Sequence, residues 1–256
     1  MLKDVKLFVL DMDGTVHISG ELFPWTIPFL ERIRELGKRY VFLTNNSSKG
    51  PKDYENELNK MGIPDPVVYT SGEATALYIK EKFGSVRLFV MGTKNLMRVF
   101  ESNGFYIDGE NPEVLVLGYD TEVTYEKIRK FAIFLRKNLP YISTHPDINC
   151  PSKDGLIPDA GSFMALFKVS TGREPEKIIG KPNPQILYTL SEKFGVPLNQ
   201  IAVVGDRLYT DIKLAKNSGA VSVLVLSGET SREDLKKSDV SPDIVVENLW
   251  ELMDMI

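Results

Sequence analysis

At 256 residues the chain is long enough for one large domain or two small ones, with a sizeable buried core. Its apolar share of 43% and charged share of 26% are ordinary for a globular protein, and a net charge of −4 without a basic block argues against nucleic acid or a membrane surface as partner. No apolar run approaches the roughly 20 residues that span a bilayer. The first residues lack a secretion-signal pattern, and Cys150 is the only cysteine, so no disulfide forms within the chain and a cytoplasmic location is expected.

In chain order, the first signal is VKLFVLDMDGT, Val5 to Thr15. Its apolar run predicts a strand buried on both faces, as in a parallel sheet. Asp11 and Asp13 follow at the carboxyl end, where open α/β sheets hold their ligands. Two neighbouring carboxylates repel, and need a cation, a shared proton or different roles. A hard divalent ion such as Mg²⁺ suits them. Read alone, Asp13-Gly14 is equally a plain turn. A calcium loop is excluded, because Thr15 and Val16 stand where that loop needs Asp or Asn and then Gly.

Val16 to Pro24 reads as a loop or small flap, with His17 in it as a residue placed to touch a ligand. Thr26 to Gly37 is a helix, with Thr26 as its N-cap and Ile27, Leu30, Ile33 and Leu36 on one stripe. Tyr40 to Leu43 is a second buried strand, ending in Thr44, Asn45, Asn46 and Ser47. A helix (Pro51–Gly62), a strand (Val67–Tyr69) and a helix (Glu73–Phe83) follow. The same alternation continues through strands near Val86, Val114 and Tyr141 and helices near Lys94 and Thr124. It predicts a parallel sheet with right-handed crossovers. His145 to Gly161 reads as a long irregular stretch, and a loop of that length is usually functional. A helix from Ser162, the turn GKPNP at Gly180 to Pro184, a helix to Phe194 and a strand at Ile201 to Val204 lead to Gly205, Asp206 and Asp211.

Four polar signals therefore fall at strand ends or just beyond them: DMDGT, TNN, GKP and GDRLYTD. Each has a plain structural reading alone: a turn, an exposed lysine, a helix cap. Together they supply metal carboxylates, hydroxyl and amide donors and a cation, the set that phosphoryl transfer requires. No G-x-G-x-x-G, Walker A loop or G-x-S-x-G elbow is present.

In this order the four motifs resemble those of the haloacid dehalogenase superfamily, mostly phosphatases. THPDINCPSKDGLIPDAGS, Thr144 to Ser162, resembles the substrate loop of its NagD and 4-nitrophenylphosphatase branch, with His145 where Asn is common. The resemblance implies an α/β fold with a Rossmann-like parallel-sheet core, residues 1–78 and 180–256, and an inserted α/β cap domain, residues 79–179. It implies Asp11 as nucleophile and Asp13 as acid and then base. Mg²⁺ would be held by Asp11, the Asp13 carbonyl and Asp206. Thr44, the Asn45 amide and Lys181 would bind the phosphoryl group, and Asp211 would hold a metal-bound water or steady Lys181. The implied substrate is a small phosphorylated metabolite, and oligomers in this branch are often formed through the cap. A non-catalytic phosphometabolite-binding protein and a phosphomutase are the alternatives on the same fold.

Overall fold

A computed structural model of the chain describes residues 2–18, 20–152 and 155–256. Its contacts divide it into two compact units. One comprises Met1–Thr44, Lys52–Tyr69 and Lys181–Ile256, the other Asn45–Pro51 and Thr70–Gly180.

The first unit is built on a six-stranded sheet. Its order is Ile244–Val246, Val221–Val225, Ile201–Gly205, Leu7–Leu10, Arg39–Thr44, Val68–Thr70. Leu7, Phe8, Val9 and Leu10 are all fully buried, as a central strand covered on both faces requires. That strand pairs in parallel with Ile201–Gly205 on one side (Leu10 opposite Val204) and with Arg39–Thr44 on the other (Leu10 opposite Phe42). The chain thus leaves the first strand in one direction and later returns to its opposite edge. Such a reversal of strand order opens a crevice at the carboxyl ends, where α/β proteins bind ligands. One face carries the helices Thr26–Glu35 and Leu249–Met253, whose Phe29, Leu30, Ile33, Leu249 and Leu252 pack with Phe8, Leu10 and Phe42.

The second unit has its own five-stranded sheet, ordered Lys177–Ile178, Tyr141–Ser143, Val114–Leu117, Arg87–Met91, Tyr106–Ile107, with every pairing parallel. Its core is aromatic: Phe131 packs edge-on to Tyr141 at 5.3 Å between centroids and lies 4.6 Å from Phe167. The mixed α/β fold with parallel sheets is the one expected from the strand-helix alternation. Among the described residues no helix is long and apolar enough to cross a membrane.

Two expectations change and a third gains detail. The stretch from His145 to Gly161 is irregular only in part: Asn149–Ser152 and Gly155–Pro158 form an antiparallel hairpin, and the helix after it starts at Ala160. Lys153 and Asp154, part of the expected substrate loop, lie outside the described residues. The flap after the first strand contains a second small hairpin, His17–Ile18 against Glu21–Leu22. Thr26 does not cap its helix; it is the first helical residue, and its hydroxyl donates to the Val16 carbonyl at 2.6 Å.

Candidate active site

The ladder of the first strand runs one residue beyond Leu10, the Asp11 amide donating to Val204 O at 2.9 Å. This fixes Asp11 at the carboxyl end of the sheet with its side chain 13% exposed. Its Oδ1 accepts from Lys181 Nζ at 2.5 Å. The same ammonium donates to Asp211 Oδ1 at 2.6 Å and approaches the Leu43 carbonyl at 3.5 Å. Lys181 is therefore a buried cation bridging two carboxylates, not an exposed lysine beside a turn. Asp211 is brought inward by a widened helical turn over Leu208–Ile212, in which the Ile212 amide reaches back five residues to Arg207 O at 3.2 Å. Such turns recur at functional sites.

Asp206 follows the strand Ile201–Gly205 and is 2% exposed. Its Oδ2 accepts from the Glu229 amide at 2.7 Å. Its Oδ1 is buried and, among the described residues, has no hydrogen-bond partner. Two glycines make room for this carboxylate. A Cβ on Gly14, whose φ is +84°, would stand 2.8 Å from its Cγ, and one on Gly228 would stand 2.5 Å from the same atom. Oxygens of Asp11, Asp206 and Asp211 can all lie within 4.8 Å of one another.

Asp11, Asp206 and Asp211 surround Lys181, and the nearby Arg207 is already paired with Glu229 at 2.9 Å, so an excess of negative charge remains. Burial, with Asp11 and Asp211 close by, pushes the Asp206 carboxyl up to about 7. Burial also raises Asp211, and Lys181 only partly offsets it. For Lys181 burial works against the charge, but Asp11 and Asp211 outweigh it and hold the ammonium above the usual lysine range. A buried carboxylate oxygen with no donor, in an over-acidic cluster of hard oxygens, is what a divalent cation neutralises. The donor set fits one.

Two family models match the sequence: a haloacid dehalogenase-like hydrolase model over residues 8–106, and a HAD-hydrolase-like model over residues 178–252. The 5'-nucleotidase YutF of Bacillus subtilis is 32% identical over 252 residues, 98% of either chain. Among solved structures, the 4-nitrophenylphosphatase of Thermotoga maritima superposes with a TM-score of 0.95 at 54% identity, covering 99% of this chain and 98% of that one. A putative nagD protein superposes at 0.94 with 50% identity over the whole of both chains. The chain belongs to the haloacid dehalogenase-like hydrolase family. It is an enzyme, a phosphatase of the NagD-like branch.

In this hydrolase the structure brings Asp11, Asp206, Asp211 and Lys181 together. Thr44 ends the neighbouring strand two residues past Phe42, the partner of Leu10, and so lies at the same sheet edge. The Asp13 carboxylate is not in the cluster. It is 57% exposed, and its Oδ1 lies 3.6 Å from His17 Nδ1. Asn45 belongs to the second unit, where its Nδ2 donates to both Asp147 oxygens at 3.2 and 3.1 Å. That unit also buries His145, whose Nε2 lies 2.9 Å from Asp159 Oδ1 and whose Nδ1 lies 2.9 Å from Thr144 Oγ1.

Sequence reasoning missed the segment Ser227–Thr230. Ser227 Oγ donates to Gly14 O at 2.8 Å, and the Thr230 amide donates to Asp206 O at 3.2 Å, so this turn walls the acidic cluster. Its signal was a Ser-Gly pair just past the buried strand Val221–Val225, a fifth polar cluster at a strand end.

Proposed function

We propose that this phosphatase hydrolyses small-molecule phosphate monoesters through an aspartyl-phosphate on Asp11. Mg²⁺ would be held by the Asp11 carboxylate, the Asp13 carbonyl and the Asp206 carboxylate. The reading is carried by Asp11, which accepts from the buried Lys181 ammonium and shares one cluster with Asp206, whose Oδ1 has no hydrogen-bond partner among the described residues. An Asp11 oxygen bonds to phosphorus as the ester P–O bond breaks. Asp13 gives its proton to the departing oxygen, so the alcohol leaves neutral. Water then attacks phosphorus, Asp13 takes its proton, and Asp11 is regenerated with release of phosphate. Thr44, the Asn45 amide and Lys181 bind the phosphoryl oxygens, and Asp211 steadies Lys181. When bound, the metal neutralises charge on Asp11 and on the phosphoryl group, so that two anions can approach. Preorganised charges of this kind are worth about 3–4 kcal/mol each at the transition state. The name of one relative, a 5'-nucleotidase, points to nucleoside monophosphates among the substrates. A single cysteine suits a reducing cytoplasm.

The test is phosphate release from 4-nitrophenyl phosphate and from nucleoside 5'-monophosphates, in Mg²⁺ and in EDTA. Turnover is expected only with the metal. Asp11→Asn should lower it by at least about a thousandfold while the melting profile stays cooperative, and acid-quenched wild type should carry labelled phosphate on Asp11. Full activity in Asp11→Asn, or in EDTA, would overturn the reading.

A further inference from the structure

The Asp13 carboxylate has little of its own to hold it. It is more than half exposed, and among the described residues no hydrogen bond reaches it. A general acid must nonetheless stand within hydrogen-bond reach of the oxygen it protonates. The group that faces it is His17. The imidazole is only 13% exposed, and its Nδ1 is buried with no hydrogen-bond partner among the described residues.

The backbone pins this pair together. Asp13 and His17 form an isolated bridge, with the Gly14 amide donating to His17 O at 2.8 Å and the His17 amide to Met12 O at 3.2 Å. Val16 is fully buried, and its carbonyl accepts from Thr26 Oγ1 at 2.6 Å and from the Phe23 amide at 3.2 Å. The small hairpin His17–Ile18 and Glu21–Leu22 then closes the turn. His17 therefore cannot retreat, while the exposed carboxylate can rotate. At 3.6 Å the two atoms stand just beyond a hydrogen bond, and a small rotation of Asp13 closes the gap. A bare lone pair on Nδ1 would repel the carboxylate, so the tautomer with its hydrogen on Nδ1 is favoured.

We propose that His17 is the positioning residue for Asp13: its Nδ1–H holds the carboxyl group in the orientation from which the leaving oxygen receives its proton. This rests on the reading of Asp13 as the general acid. His17 does not touch the reacting atoms and transfers no proton itself.

Leaving-group dependence provides the test. 4-Nitrophenolate departs readily without a proton, whereas phenolate needs one. Values of kcat/KM, which report the steps up to formation of the aspartyl-phosphate, are measured on 4-nitrophenyl phosphate and phenyl phosphate for wild type, Asp13→Asn, His17→Leu and His17→Asn. Leu and Asn are nearly isosteric, but the Asn amide nitrogen occupies the place of Nδ1. His17→Leu is expected to lose about tenfold more on phenyl phosphate than on 4-nitrophenyl phosphate, as Asp13→Asn does more strongly, and His17→Asn is expected to recover most of that loss. If Asp13→Asn shows the selective loss but His17→Leu falls equally on both esters or not at all, the role of His17 is overturned. The same holds if Asn recovers no more than Leu. If Asp13→Asn itself fails to discriminate, the general-acid reading fails, and the inference falls with it.

Discussion

Asp206 concentrates the electrostatics of the site in one side chain. Its carboxyl titrates near 7 in the folded chain without metal, against about 3.9 for an unfolded aspartate. The folded state therefore binds the extra proton between these values, and stability falls as pH rises from about 4 through 7. Above that window the metal-free protein carries the full deficit, on the order of 2 kcal/mol once its coupling to the neighbouring carboxyl groups is allowed for. Mg²⁺ held at the proposed site would remove it. Thermal melts in EDTA and in Mg²⁺ at pH 5 and pH 8 should show a metal-induced rise that is small at pH 5 and roughly 4–8 °C at pH 8. Asp206→Asn keeps the acceptor for the Glu229 amide and removes the charge. It should melt higher than wild type in EDTA at pH 8 and lose the response to Mg²⁺. An equal metal shift at both pH values would show that Asp206 is not the titrating ligand.

The elements that hold this carboxylate are strand ends and the turns that follow them. Gly228 lies in the turn after Val221–Val225, and a Cβ there would collide with Asp206. The backbone has no left-handed requirement at Gly228, so Gly228→Ala tests close approach alone, whereas Gly14 at φ +84° combines both demands. Gly228→Ala should lower Mg²⁺ affinity by about 10–100-fold, measured by calorimetry, with only a small change in the metal-free melting temperature. The sequence made the strands legible because runs such as Leu7–Leu10 and Val114–Leu117 are apolar on both faces, a pattern few other elements show. It concealed the hairpin Asn149–Pro158 because Pro151 and Pro158 mimic a loop, and because this two-stranded ribbon is mostly exposed and carries no alternation. Thr26 misled for a different reason. Its hydroxyl suits a cap, but a tertiary acceptor, the Val16 carbonyl, takes it.

Over the whole molecule, residues almost 200 positions apart meet because the strand Ile201–Gly205 pairs in parallel with Leu7–Leu10, which sets Asp206 beside Asp11. The four strand-end motifs anticipated this meeting, since a parallel sheet collects all its carboxyl ends at one edge. The buried ammonium between Asp11 and Asp211 was legible only through the family resemblance, because nothing local distinguishes Lys181 from an exposed lysine. Asp11, Asp206 and Asp211 all lie in the first unit, and the hairpin Asn149–Pro158 lies in the second. That hairpin is flanked by its own anchors: Asp147, which accepts from Asn45, before it, and Asp159, which meets His145 and caps the following helix, after it. Replacing residues 148–158 with the equivalent hairpin of a relative, anchors kept, should therefore alter the ranking of kcat/KM across a panel of sugar, nucleoside and aryl phosphates. The Mg²⁺-induced rise in melting temperature at pH 8 should be unchanged. A changed metal response with an unchanged ranking would show that specificity does not reside in the hairpin and that the two units do not separate these tasks.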